Sequence, residues 1–414
     1  APRVSRDGPP PPDAHRPPTA IDFPPLLTVL NSGPPTASAG DTILYTMSVQ
    51  HDPASDGSAV ANLAVVDDIA GPATYLSGDT DLNGELDVGE TWLWEAAYTV
   101  TVTDPNVLTN TVTVDGTDPD GDPVTTQDSH STVISFNPVL QVEKSGAPYA
   151  TVGENVSYTF TVSHAPTSDG SDVIVLTVDD TVGGLATYLA GDTDSDGRLD
   201  AGETWSFEVF YVVSGTDPGI ITNIADAVGV DRDGEPVAAT DSHDTDVDFR
   251  PLLEVVKTGP PTAEVGDTVT FAFLVSHAPG SDGSPVSVSS VVDDIAGAAG
   301  YDSGDDGDGL LEASETWTYT GQYTIAGDDP DTLVNTVTVA GTDAEGDPLS
   351  AGDTHSTNVE FDPAIEIVKS GPATAPIGEV VTYSFAVAHA AASDGSPIGS
   401  LSVSYTHLRA HETF

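Results

Sequence analysis

Apolar and polar residues alternate with a period of two over several segments of the chain. The apolar members of one such segment are Val156, Tyr158, Phe160 and Val162. This period is typical of a β-strand with one buried face, whereas a helix would repeat about every 3.6 residues. Turn-forming runs such as SDGS and DPDG separate the segments, as expected for short antiparallel strands. The pattern predicts an all-β chain, and no segment has the periodicity of a helix.

The chain repeats itself at an interval of about 113 residues. Phe136, Phe249 and Phe361 each begin an F-x-P motif at this spacing, and Trp92, Trp205 and Trp317 follow the same interval. Six or seven short strands within such a length are typical of an immunoglobulin-like β-sandwich. The predicted fold is therefore a set of tandem immunoglobulin-like β-sandwich repeats in an elongated array.

The repeat also predicts the domain boundaries. The predicted segments are a proline-rich linker at 1–25, full copies at 26–138, 139–251 and 252–363, and a truncated fourth copy at 364–402. Residues 403–414 leave the repeat completely and resemble a translated sequencing adapter, so they are excluded from the fold prediction.

Composition narrows the classes of function. Lys and Arg number 10 against 66 Asp and Glu, which gives a formal charge of −56. Nucleic acid and anionic membrane would be repelled, so neither is expected as a partner, whereas divalent cations are favoured. The chain has no cysteine, and no apolar run reaches the roughly 18 residues of a membrane span. We expect no membrane insertion.

An acidic loop precedes the repeated tryptophan in copies one and two. The loops read GDTDLNGELDVGETW and GDTDSDGRLDAGETW, and both match the calcium-binding loop of EF-hands. The predicted ligands of the first loop are Asp79, Asp81, Asn83, Glu85 (backbone carbonyl), Asp87 (through water) and Glu90. Those of the second loop are Asp192, Asp194, Asp196, Arg198 (backbone carbonyl), Asp200 and Glu203. Oxygen ligands favour calcium; a metal-free acidic turn is the alternative.

The third loop, GDDGDGLLEASETW, is one residue shorter than the other two. Its first aspartate is expected to fall out of register, which leaves Asp306, Asp308 and Glu315 as predicted ligands. No helix is predicted on either side of the three loops, so we expect calcium to have a structural role rather than to operate a switch.

The order of these motifs resembles the immunoglobulin-like surface repeats of bacterial and archaeal cell-surface proteins. The stretches that carry the resemblance are KTGPPTAEVGDTVTFAFLV, GDTDSDGRLDAGETW and NTVTVAGTDAEGDP. A looser similarity links the chain to the calcium-binding B repeats of serine-aspartate adhesins. The resemblance covers residues 26 to about 402 and implies an extracellular stalk or adhesive array without catalytic activity. It also implies an unidentified extracellular ligand, or a cell wall or matrix, as partner.

Lysine and asparagine recur at two further repeat positions on inward faces of predicted strands. Lys144 and Asn223 in copy two, and Lys257 and Asn335 in copy three, resemble the isopeptide-forming pairs of pilin-type surface domains. Burial would make the amine nucleophilic, and a carboxylic acid would be needed to move protons. The alternative is a lysine that extends to solvent at the strand end. Asn31 replaces the lysine in copy one, so that copy is not expected to cross-link.

Histidine also recurs at two repeat positions. The sets are His51, His164, His277 and His389, and His130, His243 and His355. Two interpretations of these histidines remain open. Pairs of them could bind zinc, or each could form hydrogen bonds at the rim of the core. The tryptophans are expected in the core rather than on a sugar-binding surface.

The predicted function is a calcium-stabilised stalk or adhesive array on the cell surface or in a secreted protein. The alternative is a carbohydrate- or protein-binding module that accompanies a secreted hydrolase. The DSH and SDGS runs contain Ser, His and Asp but lack the strand-turn-helix context of a nucleophile. We therefore do not expect an enzyme.

Overall fold

The computed structural model describes residues 25–404, and all regular structure in this range is β-strand. Residues 1–24 of the predicted linker and residues 405–414 of the adapter-like tail lie outside the described range. Within it, no helix is long and apolar enough to cross a membrane.

Each of the first two copies contains ten strands. In copy one they are β1 (Leu27–Ser32), β2 (Thr36–Ser38), β3 (Thr42–His51), β4 (Val60–Asp67), β5 (Gly71–Pro72), β6 (Thr74–Ser77), β7 (Glu85–Leu86), β8 (Thr91–Thr99), β9 (Val107–Thr117) and β10 (Pro123–Ser135). In copy two they are β11 (Leu140–Ser145), β12 (Tyr149–Thr151), β13 (Asn155–His164), β14 (Val173–Asp180), β15 (Gly184–Leu185), β16 (Thr187–Ala190), β17 (Arg198–Leu199), β18 (Thr204–Val212), β19 (Ile220–Val230) and β20 (Pro236–Asp248).

Copy three contains nine strands, and the truncated fourth copy contains two. They are β21 (Leu253–Thr258), β22 (Thr262–Glu264), β23 (Thr268–His277), β24 (Ser287–Asp293), β25 (Gly297–Ala298), β26 (Gly300–Ser303), β27 (Thr316–Thr324), β28 (Thr332–Thr342), β29 (Pro348–Glu360), β30 (Ile365–Ser370) and β31 (Ser384–His389). The strand count exceeds the predicted six or seven because several short pieces, such as β5 and β7, are too short to show a period in the sequence.

Two sheets form a sandwich in each complete copy. In copy one the strand orders are β1-β3-β8-β6 and β2-β10-β9-β4-β5, with β7 beside β4. Copy three has the corresponding orders β21-β23-β27-β26 and β22-β29-β28-β24-β25. The short strands β2 and β22 pair parallel to β10 and β29, while the long strands pair antiparallel. The predicted fold, tandem immunoglobulin-like β-sandwiches, is confirmed.

The alternating residues identified in the sequence form the core. In copy one Tyr45, Met47 and Val49 on β3 are fully buried, together with Val112 and Val114 on β9. In copy three the same positions hold Phe271, Phe273 and Val275 on β23, and Val337 and Val339 on β28. Full burial of one such side chain stabilises the folded state by about 1.5–3 kcal/mol relative to leaving it exposed.

Residue contacts divide the chain into two compact units. One comprises the described residues up to Lys144 together with 159–208 and 224–241, and the other comprises 145–158, 209–223 and the chain from Ser242. The domain boundaries predicted from the repeat remain predictions.

In the fourth copy, β30 pairs antiparallel with β31, from Ile365 opposite His389 to Ser370 opposite Ser384. Its apolar side chains are exposed, including Ile367, Phe385 and Val387. Two strands alone provide no opposing sheet for these side chains, so this copy lacks a core within the described residues.

Candidate metal centre

The acidic loop begins at a glycine that follows the strand β6, β16 or β26. Gly191 has a φ of 132°, and a Cβ at this position would lie 2.3 Å from the carbonyl oxygen of Thr204. Gly78 and Gly304 occupy the same conformation, with a Cβ 2.3 and 2.4 Å from the corresponding oxygens. Any side chain would collide with the next strand, so only glycine lets the loop leave the sheet here.

The first aspartate of the loop folds the backbone around itself. Asp79 Oδ1 accepts a hydrogen bond from the Leu82 amide at 2.6 Å, and Oδ2 accepts one from the Gly84 amide at 3.0 Å. The second loop repeats these bonds with Asp192, Ser195 and Gly197. Leu82 and Ser195 adopt left-handed φ values of 64° and 66°, which tighten the turn.

Carboxylate oxygens cluster inside each loop. Candidate ligand atoms in each cluster lie within 4.8 Å of one another. The clusters are Asp79 with Asp81 and Glu90; Asp192 with Asp194 and Glu203; Asp194 with Asp196 and Asp200; Asp305 with Asp306 and Asp308; and Asp306 with Glu312 and Glu315. Calcium binds oxygen at roughly 2.3–2.6 Å, so oxygens on opposite sides of one ion would lie at about this separation. The predicted carboxylates of the first two loops, except Asp87, are members of these clusters.

The remaining predicted ligands hold the loop in shape. Asn83 Nδ2 donates to Asp87 Oδ2 at 2.8 Å, and Asn83 Oδ1 accepts the Glu85 amide at 2.7 Å. Glu85 pairs with Ala61 through β7, as Arg198 pairs with Ile174 through β17. The Arg198 side chain forms ion pairs with Asp172 and, at 3.7 Å, with Asp196.

The last acidic residue of the loop is buried and strongly hydrogen-bonded. Glu90 Oε1 accepts the backbone amide and the hydroxyl of Thr80 at 2.6 and 2.7 Å, while Oε2 accepts Trp92 Nε1 at 3.0 Å. These bonds, those from Thr80 first, lower the pKa of Glu90 to about 2. Oε2 also accepts the Asp87 amide at 3.3 Å, so four donors hold the charged group at the end of the loop.

Glu203 has the same environment in the second loop. Burial acts to raise its pKa, but bonds from Thr193, Asp200 and Trp205 outweigh burial and lower the pKa to about 2. Thr193 donates through its amide at 2.7 Å and its hydroxyl at 2.8 Å. The side chain is therefore held ionised and pointing toward the loop.

Burial and the crowding of like charges raise the pKa of the acidic residue that follows the buried leucine of the loop. Burial, followed by the charges of Asp196 and Asp194, raises the pKa of Asp200. In the third loop, burial and the charges of Asp308 and Asp306 raise the pKa of Glu312. A bound divalent cation would relieve this repulsion, so the donor set of oxygens and its excess negative charge fit calcium.

The third loop contains two acidic residues that the sequence prediction missed. Asp305 Oδ1 accepts the amides of Gly307 and Gly309 at 2.9 and 3.2 Å, whereas the first aspartate of the other loops accepts the two equivalent amides with both of its oxygens. Asp305 therefore occupies the first position rather than falling out of register. Glu312 clusters with Asp306 and Glu315. Matching the loop from both ends, with the deletion between the first two aspartates, would have found both residues.

The exit of each loop is anchored in the core by a leucine and a histidine. Leu86 is fully buried, and its carbonyl lies 2.9 Å from His51 Nε2. The other ring nitrogen of His51 lies 3.0 Å from Ser55 Oγ in the SDGS turn. The same bridge is formed by His164 with Leu199 and Ser168, and by His277 with Leu311 and Ser281.

The second set of histidines also has hydrogen-bonding partners. His130 Nε2 lies 3.2 Å from the Pro34 carbonyl oxygen, and His243 and His355 occupy equivalent positions. Among residues 25–404, the clusters with metal-binding geometry contain no histidine. The three repeated tryptophans are buried, which confirms their expected place in the core.

The loops of copies two and three each face a segment of the copy before them. In the first unit, Asp196, Arg198 and Asp200 line a cleft together with Val102 and Thr103. In the second unit, the corresponding cleft is lined by Asp308, Leu310 and Glu312 of copy three and by Gly215, Thr216 and Asp217 of copy two. The acidic loops of copies two and three thus lie at the joints with the copies before them.

The segment that connects consecutive copies is hydrogen-bonded to the later copy. Asn137 N donates to Asp169 Oδ2 at 2.6 Å, Val139 N donates to Ser168 Oγ at 3.0 Å, and Phe136 N donates to Asp233 Oδ2 at 2.8 Å. The next joint repeats these three bonds with Arg250 to Asp282, Leu252 to Ser281 and Phe249 to Glu345. Because Ser168 also contacts His164, a chain of hydrogen bonds connects the exit of the acidic loop to the joint.

Comparison with known proteins gives structural neighbours but no family. No family model and no curated protein matches this chain. A titin I-band fragment, I67–I69, is 13% identical, with a TM-score of 0.30 over 82% of this chain and 100% of its own. A structure of a 1.5-MDa bacterial ice-binding adhesin is 18% identical, with a TM-score of 0.32 over 81% of this chain and 99% of its own. The protocadherin gammaB4 extracellular domain is 13% identical, with a TM-score of 0.30 over 88% of this chain and 55% of its own.

Proposed function

We propose that this chain is a non-enzymatic, calcium-stabilised stalk or adhesive array of a cell-surface or secreted protein. The observation that carries the proposal is the recurrence of one carboxylate cluster in each complete copy. In copies two and three the loop that holds it also faces the preceding copy. A site present in every complete copy supports a structural role, because it belongs to the repeating unit and not to one specialised domain. The resemblance to bacterial and archaeal surface repeats supports an extracellular location, with an unidentified ligand or cell wall as partner.

Calcium would act by neutralising the crowded carboxylates and fixing the loop. Asp192, Asp194 and Glu203 would hold the ion in copy two, and Asp79, Asp81 and Glu90 in copy one. The loop exit is connected through His164 and Ser168 to the amide of Val139 in the joint. Ordering of the loop would therefore also stabilise the joint, which suits a stalk that must transmit force or hold a binding surface away from a cell.

Thermal unfolding in a calcium chelator and in calcium chloride tests this proposal. Binding to the folded state alone stabilises it by about 2.7 kcal/mol when free calcium is 100 times the Kd. We expect calcium to raise the unfolding midpoints, and we expect Asp81→Ala with Asp194→Ala to abolish the gain in copies one and two only. Neither side chain supports the loop as Asp79 and Asp192 do, so the apo fold should be kept. An unchanged midpoint in the parent protein would refute structural calcium.

The alternative is a binding module that accompanies a secreted hydrolase. The two functions differ in what the parent reading frame should encode. A hydrolase domain encoded beside only a few of these repeats would favour the accessory module. Many further repeats would favour the stalk.

A further inference from the structure

Copy three contains an amine and a carboxylate that are completely removed from solvent. Lys257 on β21 and Asp293 on β24 form an ion pair, and both side chains have zero exposure. The alternative predicted from sequence, a lysine that reaches solvent at the strand end, is wrong for Lys257 and equally for Lys144, whose side chain is also fully buried. A buried ion pair carries a large desolvation cost, so its presence needs an explanation.

An amide without partners lies beside this pair. Asn335 on β28 is completely buried, and neither its Oδ1 nor its Nδ2 has a hydrogen-bonding partner. Asp293 is opposite Val337 in the ladder between β24 and β28, so Asn335 is its diagonal neighbour on the inner face. Strand β21, which carries Lys257, packs against β28. A buried amide that lacks hydrogen bonds costs about 1–3 kcal/mol.

Copy one demonstrates that the three repeat positions meet. There the lysine is replaced by Asn31, whose Nδ2 donates to Asn110 Oδ1, while Asn110 Nδ2 donates to Asp67 Oδ2. Asn31, Asp67 and Asn110 correspond to Lys257, Asp293 and Asn335 by the repeat. The replacement of lysine converts the site of copy one into an ordinary hydrogen-bonded cluster.

We propose that copy three forms an intramolecular isopeptide bond between Lys257 Nζ and Asn335 Cγ, with Asp293 as the proton-transfer acid. The site would then join the first strand of the domain covalently to β28 in the opposite sheet. The site contains the three groups that a transamidation requires. They are a buried amine, a carboxyl group in contact with it and an adjacent amide free of competing hydrogen bonds.

The reaction balances without any cofactor. A proton moves from the Lys257 ammonium to the Asp293 carboxylate, which gives a neutral amine and a neutral acid. The amine attacks Asn335 Cγ while the Asp293 hydroxyl donates a hydrogen bond to the developing oxyanion. Asp293 then transfers the amine proton to Nδ2, the Cγ–Nδ2 bond breaks, and ammonia leaves. No atom is oxidised or reduced.

The surroundings favour the neutral amine that the first step requires. The Phe271 and Phe273 rings lie 4.5 and 5.1 Å from Lys257 Nζ. Burial lowers the pKa of Lys257, although the bond to Asp293 opposes this effect. Exclusion of water by the aromatic rings also protects the intermediate from hydrolysis.

Copy two has the same residue types at the same repeat positions. Lys144 pairs with Asp180, and both side chains are fully buried, while Phe160 lies 5.0 Å from Lys144 Nζ. Asn223 is completely buried at the position that corresponds to Asn335. The isopeptide pair Lys144 and Asn223 stays a sequence prediction, and the proposal is made for copy three alone.

Intact-mass spectrometry of the whole denatured chain tests the proposal. Each isopeptide bond removes one ammonia, so the measured mass falls below the sequence mass by about 17 Da for each bond. We expect Asn335→Ala and Lys257→Arg each to reduce this deficit by one ammonia relative to the parent chain. Asn110→Ala in copy one is the matched control and should leave the deficit unchanged. Proteolysis should also yield a branched peptide that joins Lys257 to Asn335.

Two results would overturn the proposal. A parent chain at its full sequence mass would mean that the three groups form only a buried polar cluster, and this result does not depend on whether any variant folds. A deficit of about 18 Da, the mass of water, would instead place an amide bond on Asp293 and contradict its role as the acid.

Discussion

Glu203 is a buried carboxylate whose four hydrogen bonds come from neutral donors. Two come from Thr193, one from Asp200 N and one from Trp205 Nε1. Donors of this kind favour the ionised form, and the pKa of Glu203 is lowered to about 2. The acidic loop therefore depends on a charge that disappears only in strong acid.

This dependence predicts a loss of stability in acid when calcium is absent. A lowered folded-state pKa stabilises the fold above the ordinary value of 4.5, and the contribution is lost as pH falls from there toward about 2. Thr193→Val removes one donor, so the pKa of Glu203 should rise toward 4.5, and the loss of stability in acid should be smaller and complete at a higher pH. Hydrogen exchange of the second loop between pH 7 and 2, in chelator, measures this effect.

The control for this prediction is Glu203→Gln, which has no charge to lose. Its pH profile should be flatter than that of the parent protein over the same interval. Identical profiles for the parent protein, Thr193→Val and Glu203→Gln would show that Glu203 does not control the acid sensitivity of the loop.

At this scale the sequence predicted the ligands better than their supports. The candidate ligands follow a local spacing, so the motif alone predicted Asp79, Asp81 and Glu90, and the fold brings oxygens of all three within 4.8 Å of one another. Asp293 was not found, although a carboxylic acid was expected near Lys257, because its contact with the lysine arises only when two sheets pack together. Sequence spacing contains no information about which of 66 acidic residues will be the neighbour.

At the scale of elements, the SDGS turn connects the acidic loop to the joint. Asp169 Oδ1 accepts the amide and hydroxyl of Ser171, while Oδ2 accepts the amide of Asn137. Ser171 is completely buried. The motif is therefore repeated because it positions the connecting segment and not only because it reverses the chain.

We predict that Asp169→Ala loosens the joint between copies one and two without unfolding either copy. The substitution removes a 2.6 Å bond to the connecting segment, and a hydrogen bond to a charged group contributes about 1.5–3 kcal/mol. Hydrogen exchange of the backbone amides at residues 136–139 should accelerate more than tenfold, and protease cleavage should appear there. Asp56→Ala, at the same repeat position in copy one, is the control and should leave this joint protected. Unchanged exchange in Asp169→Ala would contradict the prediction.

The long strands were predictable and the short ones were not. The strands β3, β13 and β23 show a period of two over ten residues, which fixes both their type and their buried face. Strands β7 and β17 have two residues each, too few for any period. Their position depends on the burial of Leu86 and Leu199, a tertiary effect that follows from the packing of the loop exit.

At the scale of the whole molecule, the repeat predicts the fold class, and the net charge opposes folding. A formal charge of −56 produces repulsion that opposes the compact state. The charge is concentrated in loops and turns, because the strands bury apolar side chains on one face and expose hydroxyl-bearing residues on the other. Screening should therefore act mainly on the joints and loops.

The last prediction separates this general screening from specific calcium binding. In chelator, raising sodium chloride from 0.01 to 0.15 M shortens the Debye length from about 30 to 8 Å, so repulsion weakens and the unfolding midpoints should rise. A gain of 1 kcal/mol raises the midpoint of a domain of this size by roughly 4–8 °C. Millimolar calcium chloride should then add a further increase that sodium chloride of equal ionic strength does not reproduce. If matched sodium chloride gave the whole increase, the carboxylate clusters would respond only to screening, and the loops would be acidic turns rather than calcium sites.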